Sequence, residues 1–272
     1  MLVYNPSITS SIAALSRQLP HALLLTGQPG VGLRTLALHL AGAQTAAIIE
    51  PLDKDGYVNT RKGTISVTRI RDLYTETQGK SATNRVYVID NADKMSAGAA
   101  NAFLKLLEEP NAHTHFILTS HNPSYLPATV LSRTQRLIVP PILPEQSTDL
   151  AYQLKLRGTK AQQALFIASG LPAELARLAA SPEYFEQTAG TMAAAKAYLM
   201  GSRLERTVTV FQYGSDREQS LQLLTAAKDI ILHTAATKPS AEAVERAGKL
   251  ASAYDAIMAN GNPKLHLIAA MV

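Results

Sequence analysis

HALLLTGQPGVGLRT, residues His21–Thr35, carries an apolar run straight into a glycine-rich turn and then into Leu36-Ala-Leu-His-Leu40. An apolar run without polar alternation suits a strand covered on both faces. Gly27, Gly30 and Gly32 let backbone N–H groups approach an anion, and a helix opening directly afterwards would point its positive dipole end at the same place. Strand, glycine turn and helix N-terminus therefore form a phosphate-binding layout. Its outer glycines, 27 and 32, stand at the P-loop spacing.

Four further short apolar runs follow: Ala46–Glu50, Arg85–Asp90, His115–Ser120 and Arg136–Val139. Helical patterns separate them, which predicts βαβ units and a parallel five-stranded sheet. The helix at 68–77 would turn Ile70, Leu73 and Tyr74 to one face. The next opens at the N-cap Ser96, carries Ala100, Phe103, Leu104 and Leu107 inward, and stops before Pro110. Three prolines within 140–144 end the sheet unit, and everything beyond reads as helix. Short helices fill 145–188, and longer alanine-rich ones follow, such as 241–260 behind the cap Ser240. There is no internal repeat and no low-complexity tract.

The chemistry of the turn departs from its shape. A P-loop places Lys and then Ser/Thr after its last glycine, to hold the terminal phosphates and magnesium. This sequence has Leu33 and Arg34 there. Arg34 comes one residue too late to replace the lysine and leaves the helix in another direction; Thr35 is displaced likewise. Two other readings stay open. Gly30 and Gly32, with Glu50 ending the second strand, fit part of a nicotinamide dinucleotide fingerprint, although Thr35 stands where its third glycine belongs. Alternatively, the glycines do no more than close a strand–helix connection.

Val86–Ile89 ends in Asp90, as in a Walker B strand whose acid organises magnesium. An active hydrolase would carry a second acid next, whereas here that position is Asn91, which cannot take up a proton. Thr119 and Ser120 end the fourth strand and are expected to satisfy local hydrogen bonds. His21 is expected to be a packed structural histidine.

Of the 272 residues, 46% are apolar and 17% charged, enough to bury a core. The net charge of +5 permits nucleic-acid contact without requiring it. The absence of cysteine excludes disulfides, thiol nucleophiles and cysteine zinc sites. The seven histidines are scattered, and the close pair His113 and His115 has no partner at ligand spacing. The first residues lack a signal-peptide pattern and no apolar stretch approaches a membrane span, so a cytoplasmic location is expected.

NAFLKLLEEP, Asn101–Pro110, resembles the NALLKxLEEP helix of bacterial clamp-loader AAA+ subunits of DNA polymerase III. Ser132-Arg133-Thr134 is similar to their Ser-Arg-Cys motif, His21–Gly27 to their HAxLFxG segment, and Asn260–Ala269 to their closing collar helix. The resemblance spans the chain and is strongest over 21–140. It implies an AAA+ α/β domain at 1–143, a small helical lid at 144–189 and a helical collar at 190–272. It also implies a hetero-pentamer with gamma/tau and delta types that loads the sliding clamp on primed DNA. Arg133 then reaches the ATP of a neighbouring subunit as an arginine finger. Gly27, Gly30, Gly32, Arg34, Thr35 and Asp90 would be a vestigial nucleotide site. Leu33, Arg34, Asn91 and Ala173 (in ASGLPA, which resembles the sensor 2 segment) mark altered catalytic positions. Their joint departure resembles delta-prime, which acts on a neighbour and hydrolyses nothing itself. An active gamma/tau-like ATPase using Arg34 in an unusual way is the alternative. No resident cofactor is implied, and the short cysteine-free 41–64 stretch leaves no place for a zinc module.

Overall fold

A computed structural model describes residues 2–60, 62–79, 82–109 and 111–271. The chain divides into two compact units, one of residues 2–153 with 170–176, the other of 154–169 with 177–271. The segment expected as a lid is thus shared between them. Pro110, expected just beyond a helix end, lies outside the described residues.

Among its described residues the first unit builds a sheet of β1 (Ala22–Thr26), β2 (Thr45–Ile49), β3 (Arg85–Ile89), β4 (Thr114–Ser120) and β5 (Gln135–Ile138). The order is β2-β3-β4-β1-β5 and every pairing is parallel. In a dinucleotide-binding fold β1 lies beside β2; here β1 lies between β4 and β5, and the dinucleotide reading falls. Around the sheet stand α1 (Thr9–Arg17), α2 (Leu33–Ala41), α3 (Val67–Thr77), α4 (Ala97–Glu108), α5 (Ala128–Leu131) and α6 (Pro144–Gln153).

Strand side chains alternate between faces, and the core divides accordingly. Leu24, Tyr87, Ile89, Phe116 and Leu118 pack with Ile70, Leu73, Phe103 and Leu106 from α3 and α4. Leu23, Leu25, Val86, Val88 and Ile117 pack on the other face with Ile12 and Leu15 of α1 and Leu33, Leu36 and Ala37 of α2. The expectation of two-face coverage holds for β1, β3 and β4 and fails for β2 and β5. These are the sheet edges, and Ile138 on β5 is 60% exposed.

Two helix faces also differ from expectation. Tyr74 is exposed, because Ile70, Leu73 and Thr77 already complete the buried face of α3. On α4, Leu106 takes the inward place expected of Leu104, which is half-buried. Ser96 caps α4 as expected, its hydroxyl accepting from the Ala99 N–H at 3.2 Å.

The second unit is helical: α7 (Gly158–Ala168), then α8 (Pro172–Ala180), whose first residues belong to the first unit, and α9 (Pro182–Met200), α10 (Arg203–Tyr213), α11 (Arg217–Thr237), α12 (Ala241–Met258) and α13 (Pro263–Ala270). Tyr198, Leu199, Val210, Leu223, Leu224, Ile230, Leu250, Ile257 and Leu267 form its core. Ser240 caps α12 through the Ala243 N–H. Among the described residues no helix is long and apolar enough to cross a membrane.

Candidate functional site

Because all five strands are parallel, the residues that follow them gather at one edge, the carboxyl ends, where ligands of open α/β sheets bind. There stand the glycine loop after β1, Glu50 after β2, Asp90 after β3, and Thr119 and Ser120 at the end of β4.

The glycine loop has steric reasons for its composition. A Cβ on Gly27 would sit 2.6 Å from the Val139 carbonyl oxygen, which no side chain tolerates. Gly30 has φ +88°, a left-handed conformation, and its space is closed by the Cβ atoms of Glu174 and Leu171 at 3.2 and 3.3 Å. The Gly30 carbonyl accepts the Ala173 N–H at 2.9 Å, so Ala173 packs by its backbone on the glycine loop. Gly32, at φ 92°, is the N-cap residue of α2.

The helix starts earlier than Leu36, the first residue expected in it. Leu33, Arg34 and Thr35 form its first turn, and each takes its direction from helical geometry. Leu33, at the lysine position of a P-loop, is 2% exposed and packs among Leu23, Leu25, Val31 and Leu36. No cation comes from that position. Thr35 lies on the exposed side of the turn.

Arg34 points across the carboxyl ends of the strands. Its Nη1 pairs with Glu50 Oε1 and lies 3.7 Å from Asp90 Oδ2. Asp90 is 4% exposed, and its other oxygen, Oδ1, accepts the Thr119 hydroxyl at 2.7 Å. Thr119 Oγ1 in turn accepts the Asn91 N–H at 2.9 Å. The register of Ile89 opposite Leu118 brings Asp90 and Thr119 together. Asn91 has φ 54°, in the left-handed region that Asn tolerates better than most residues. Its identity thus has a backbone reason besides its inability to take up a proton.

This arrangement does not fit a magnesium-bound nucleotide. The position that would offer a hydroxyl to the metal carries a guanidinium, and both acids are already paired with it. Glu50, the acid of the dinucleotide fingerprint considered above, is engaged in the same way. Among the described residues, no group of three or more His, Asp or Glu side chains could hold a metal ion.

Sequence reasoning missed His121, whose Nδ1 donates to the Gly27 carbonyl at 2.8 Å and whose N–H donates to Asp93 Oδ1 at 3.3 Å. It ties the glycine loop to the turn after β3, and only strand order makes that proximity visible. His21 is packed as expected, its ring nitrogens 3.0 and 3.1 Å from the carbonyls of Thr114 and Leu106 and its ring edge-on to Phe116.

Arg133 stands apart from this cluster, between α5 and β5. Its Nη2 pairs with Glu108 Oε1 at 2.7 Å, and its Nη1 donates to the Thr129 carbonyl at 3.0 Å. The guanidinium remains partly exposed, with 37% of the side chain accessible. Glu108 belongs to the NAFLKLLEEP stretch, so two separately noted motifs meet in one ion pair.

Residues 8–142 match the protein family described as "DNA polymerase III, delta subunit". The DNA polymerase III subunit tau of Bacillus subtilis is 34% identical over 145 residues, which is 46% of this chain and 25% of that protein. The subunit delta' of Bacillus subtilis is 31% identical over 157 residues, covering 48% of this chain and 46% of the relative. The subunit delta' of Pseudomonas aeruginosa is 34% identical over 134 residues, 42% of this chain and 41% of its own length. The chain thus spans from a quarter to less than half of these relatives. A crystal structure of a DNA polymerase III gamma subunit-related protein from Thermotoga maritima shares the fold. It has a TM-score of 0.57 at 20% identity, and the match covers 96% of this chain and 97% of that one.

Proposed function

Through residues 8–142 this chain belongs to the bacterial DNA polymerase III clamp-loader family of AAA+ proteins, and we propose on that premise that it is a delta-prime-like subunit. It hydrolyses no ATP itself and supplies Arg133 to the ATP of a neighbouring subunit during loading of the sliding clamp on primed DNA. The observation that carries this reading is the Arg34 guanidinium paired with Glu50 and Asp90 where magnesium would be handled, beside a buried Leu33. Asn91 in place of a second acid supports it further. Gly27, Gly30, Gly32 and Thr35 then keep the shape of a nucleotide loop without its chemistry.

A guanidinium offers donors in a fixed fork that matches a transferring phosphoryl group. Arg133 has the exposure such a role requires and is held by bonds that a phosphate could replace. In this reading residues 1–143, 144–189 and 190–272 act as AAA+ domain, lid and collar in a cytoplasmic hetero-pentamer with gamma/tau and delta types. The ATP belongs to the neighbours, and the chain binds no zinc.

The test is Arg133→Ala in a reconstituted loader. Assembly should persist, and turnover at the site next to this subunit should fall by about 10³–10⁵-fold, the usual worth of an arginine finger. Unchanged turnover would remove the finger assignment. The tau relatives favour a second reading, an active ATPase of the same family. That reading requires magnesium-dependent turnover by this chain when the partner ATPases are inactivated.

A further inference from the structure

Arg34 Nη1 is a single nitrogen that meets carboxylates from two strands, Glu50 Oε1 after β2 and Asp90 Oδ2 after β3. Residue 34 is where a P-loop carries the hydroxyl that ligates magnesium, and Asp90 is the acid that would organise the same ion. We propose that Arg34 is a tethered cation that takes the place of the divalent metal, neutralising Glu50 and Asp90 and thereby excluding a divalent ion from the site. The proposal deepens the non-hydrolysing reading and rests on it for its meaning, though not for its measurement.

The physical case has three parts. Two carboxylates converging on one point repel unless a cation stands between them, and a buried one such as Asp90 is strongly disfavoured without a partner. Asp90 cannot turn away, because its Oδ1 is held by the Thr119 hydroxyl at 2.7 Å, and Thr119 is itself held by the Asn91 N–H. The backbone of Arg34 is fixed in the first turn of α2, so its guanidinium is tethered beside the two carboxylates. A divalent ion would have to displace it without a hydroxyl ligand in compensation. An ordinary ion pair at a partly exposed position, by contrast, contributes little and could be removed with little consequence. The two accounts differ in what fills the space when Arg34 is removed.

Mn2+ alone, followed by electron paramagnetic resonance without nucleotide, is the probe. The wild-type chain should show no saturable Mn2+ site. Arg34→Ala should gain one site with a dissociation constant of about 10⁻³ M, the weak end of the range for carboxylate-ligated divalent ions, and Arg34→Ala/Asp90→Asn should lose it. Arg34→Lys, which keeps a charge on the same turn, should bind none. Equal Mn2+ binding by wild type and Arg34→Ala, no site in Arg34→Ala, or a site in Arg34→Lys would each overturn the proposal. If Arg34→Ala folds only with millimolar Mn2+ present, the ion is replacing the guanidinium, as proposed; if it folds under neither condition, the substitution of one cation for the other is refuted. ATP turnover by the wild-type chain, measured separately, would end the non-hydrolysing reading and leave the Mn2+ comparison standing on its own.

Discussion

The Thr119 hydroxyl donates to Asp90 and accepts from the Asn91 N–H where all three residues are buried. Thr119→Val keeps the shape and removes both bonds, leaving a carboxylate oxygen and an N–H without this partner. A buried group so stranded costs roughly 1–3 kcal/mol, and more when charged. Urea unfolding of Thr119→Val should therefore show a loss of about 3 kcal/mol, and a loss under about 1 kcal/mol would mean water replaces the hydroxyl. Arg133 presents the opposite case. Its pair with Glu108 is half in solvent, and such pairs contribute about 0–1 kcal/mol. Arg133→Ala should leave the unfolding midpoint almost unchanged. That makes it a clean probe, since any loss of loader turnover would not arise from a damaged fold.

Between elements, Tyr198 on α9 donates its hydroxyl to the Leu267 carbonyl on α13 at 2.6 Å, and the residue is 1% exposed. Tyr198→Phe should destabilise by about 1–2 kcal/mol in urea, because the carbonyl loses its donor inside the core. Burial pushes the Tyr198 phenol well above its ordinary value, with the nearby Arg206 opposing. In the unfolded chain a tyrosine ionises near pH 10, while in the folded chain it keeps its proton. The unfolded state therefore loses the proton first, and stability falls as pH rises above about 10. Unfolding free energies from pH 8 to 11 should fall less steeply in Tyr198→Phe; part of the fall should persist, since burial raises Tyr87 as well. An unaltered slope would mean that this phenol is not protected. Elements of this kind were well marked in the sequence. The apolar runs located each strand to within a residue at most positions, and Ser96 and Ser240 announced their helices. What the runs did not encode was strand order, and order decides coverage: β2 and β5 share the apolar character of β1 but lie at the edges. The sequence does not mark where the glycine turn ends and α2 begins, and the helix starts at Leu33 rather than Leu36. Its first turn is what buries Leu33 and aims Arg34 at the acids.

At the scale of the whole molecule, the residues of the site were legible one by one while their pairings were not. Glu50 and Asp90 are 40 positions apart, and only the parallel β2–β3 pairing brings both within reach of Arg34. The second unit shows the same limit in its surface. The sequence reads as helical beyond residue 190, but it does not tell which apolar residues of α10 the core leaves uncovered. Val210 is buried, whereas Leu204, Val208 and Phe211 are 73%, 54% and 63% exposed along one side of α10. Leu265 and Ile268 on the adjoining α13 are 64% and 46% exposed. If residues 190–272 act as the collar of the proposed reading, this exposed apolar face is the expected subunit contact. Burying one large apolar side chain contributes about 1.5–3 kcal/mol. Val208→Asp with Phe211→Asp should then weaken incorporation into the loader by about 10²–10⁴-fold, by conversion of roughly 3–6 kcal/mol. The substituted side chains are already in water in the free chain, so its thermal unfolding should stay within a few degrees of wild type. Size-exclusion chromatography of the variant mixed with gamma/tau and delta subunits reads the first effect, and calorimetry of the isolated chain reads the second. Undiminished incorporation would move the contact to another face, and leave the apolar side of α10 to be accounted for by a different partner.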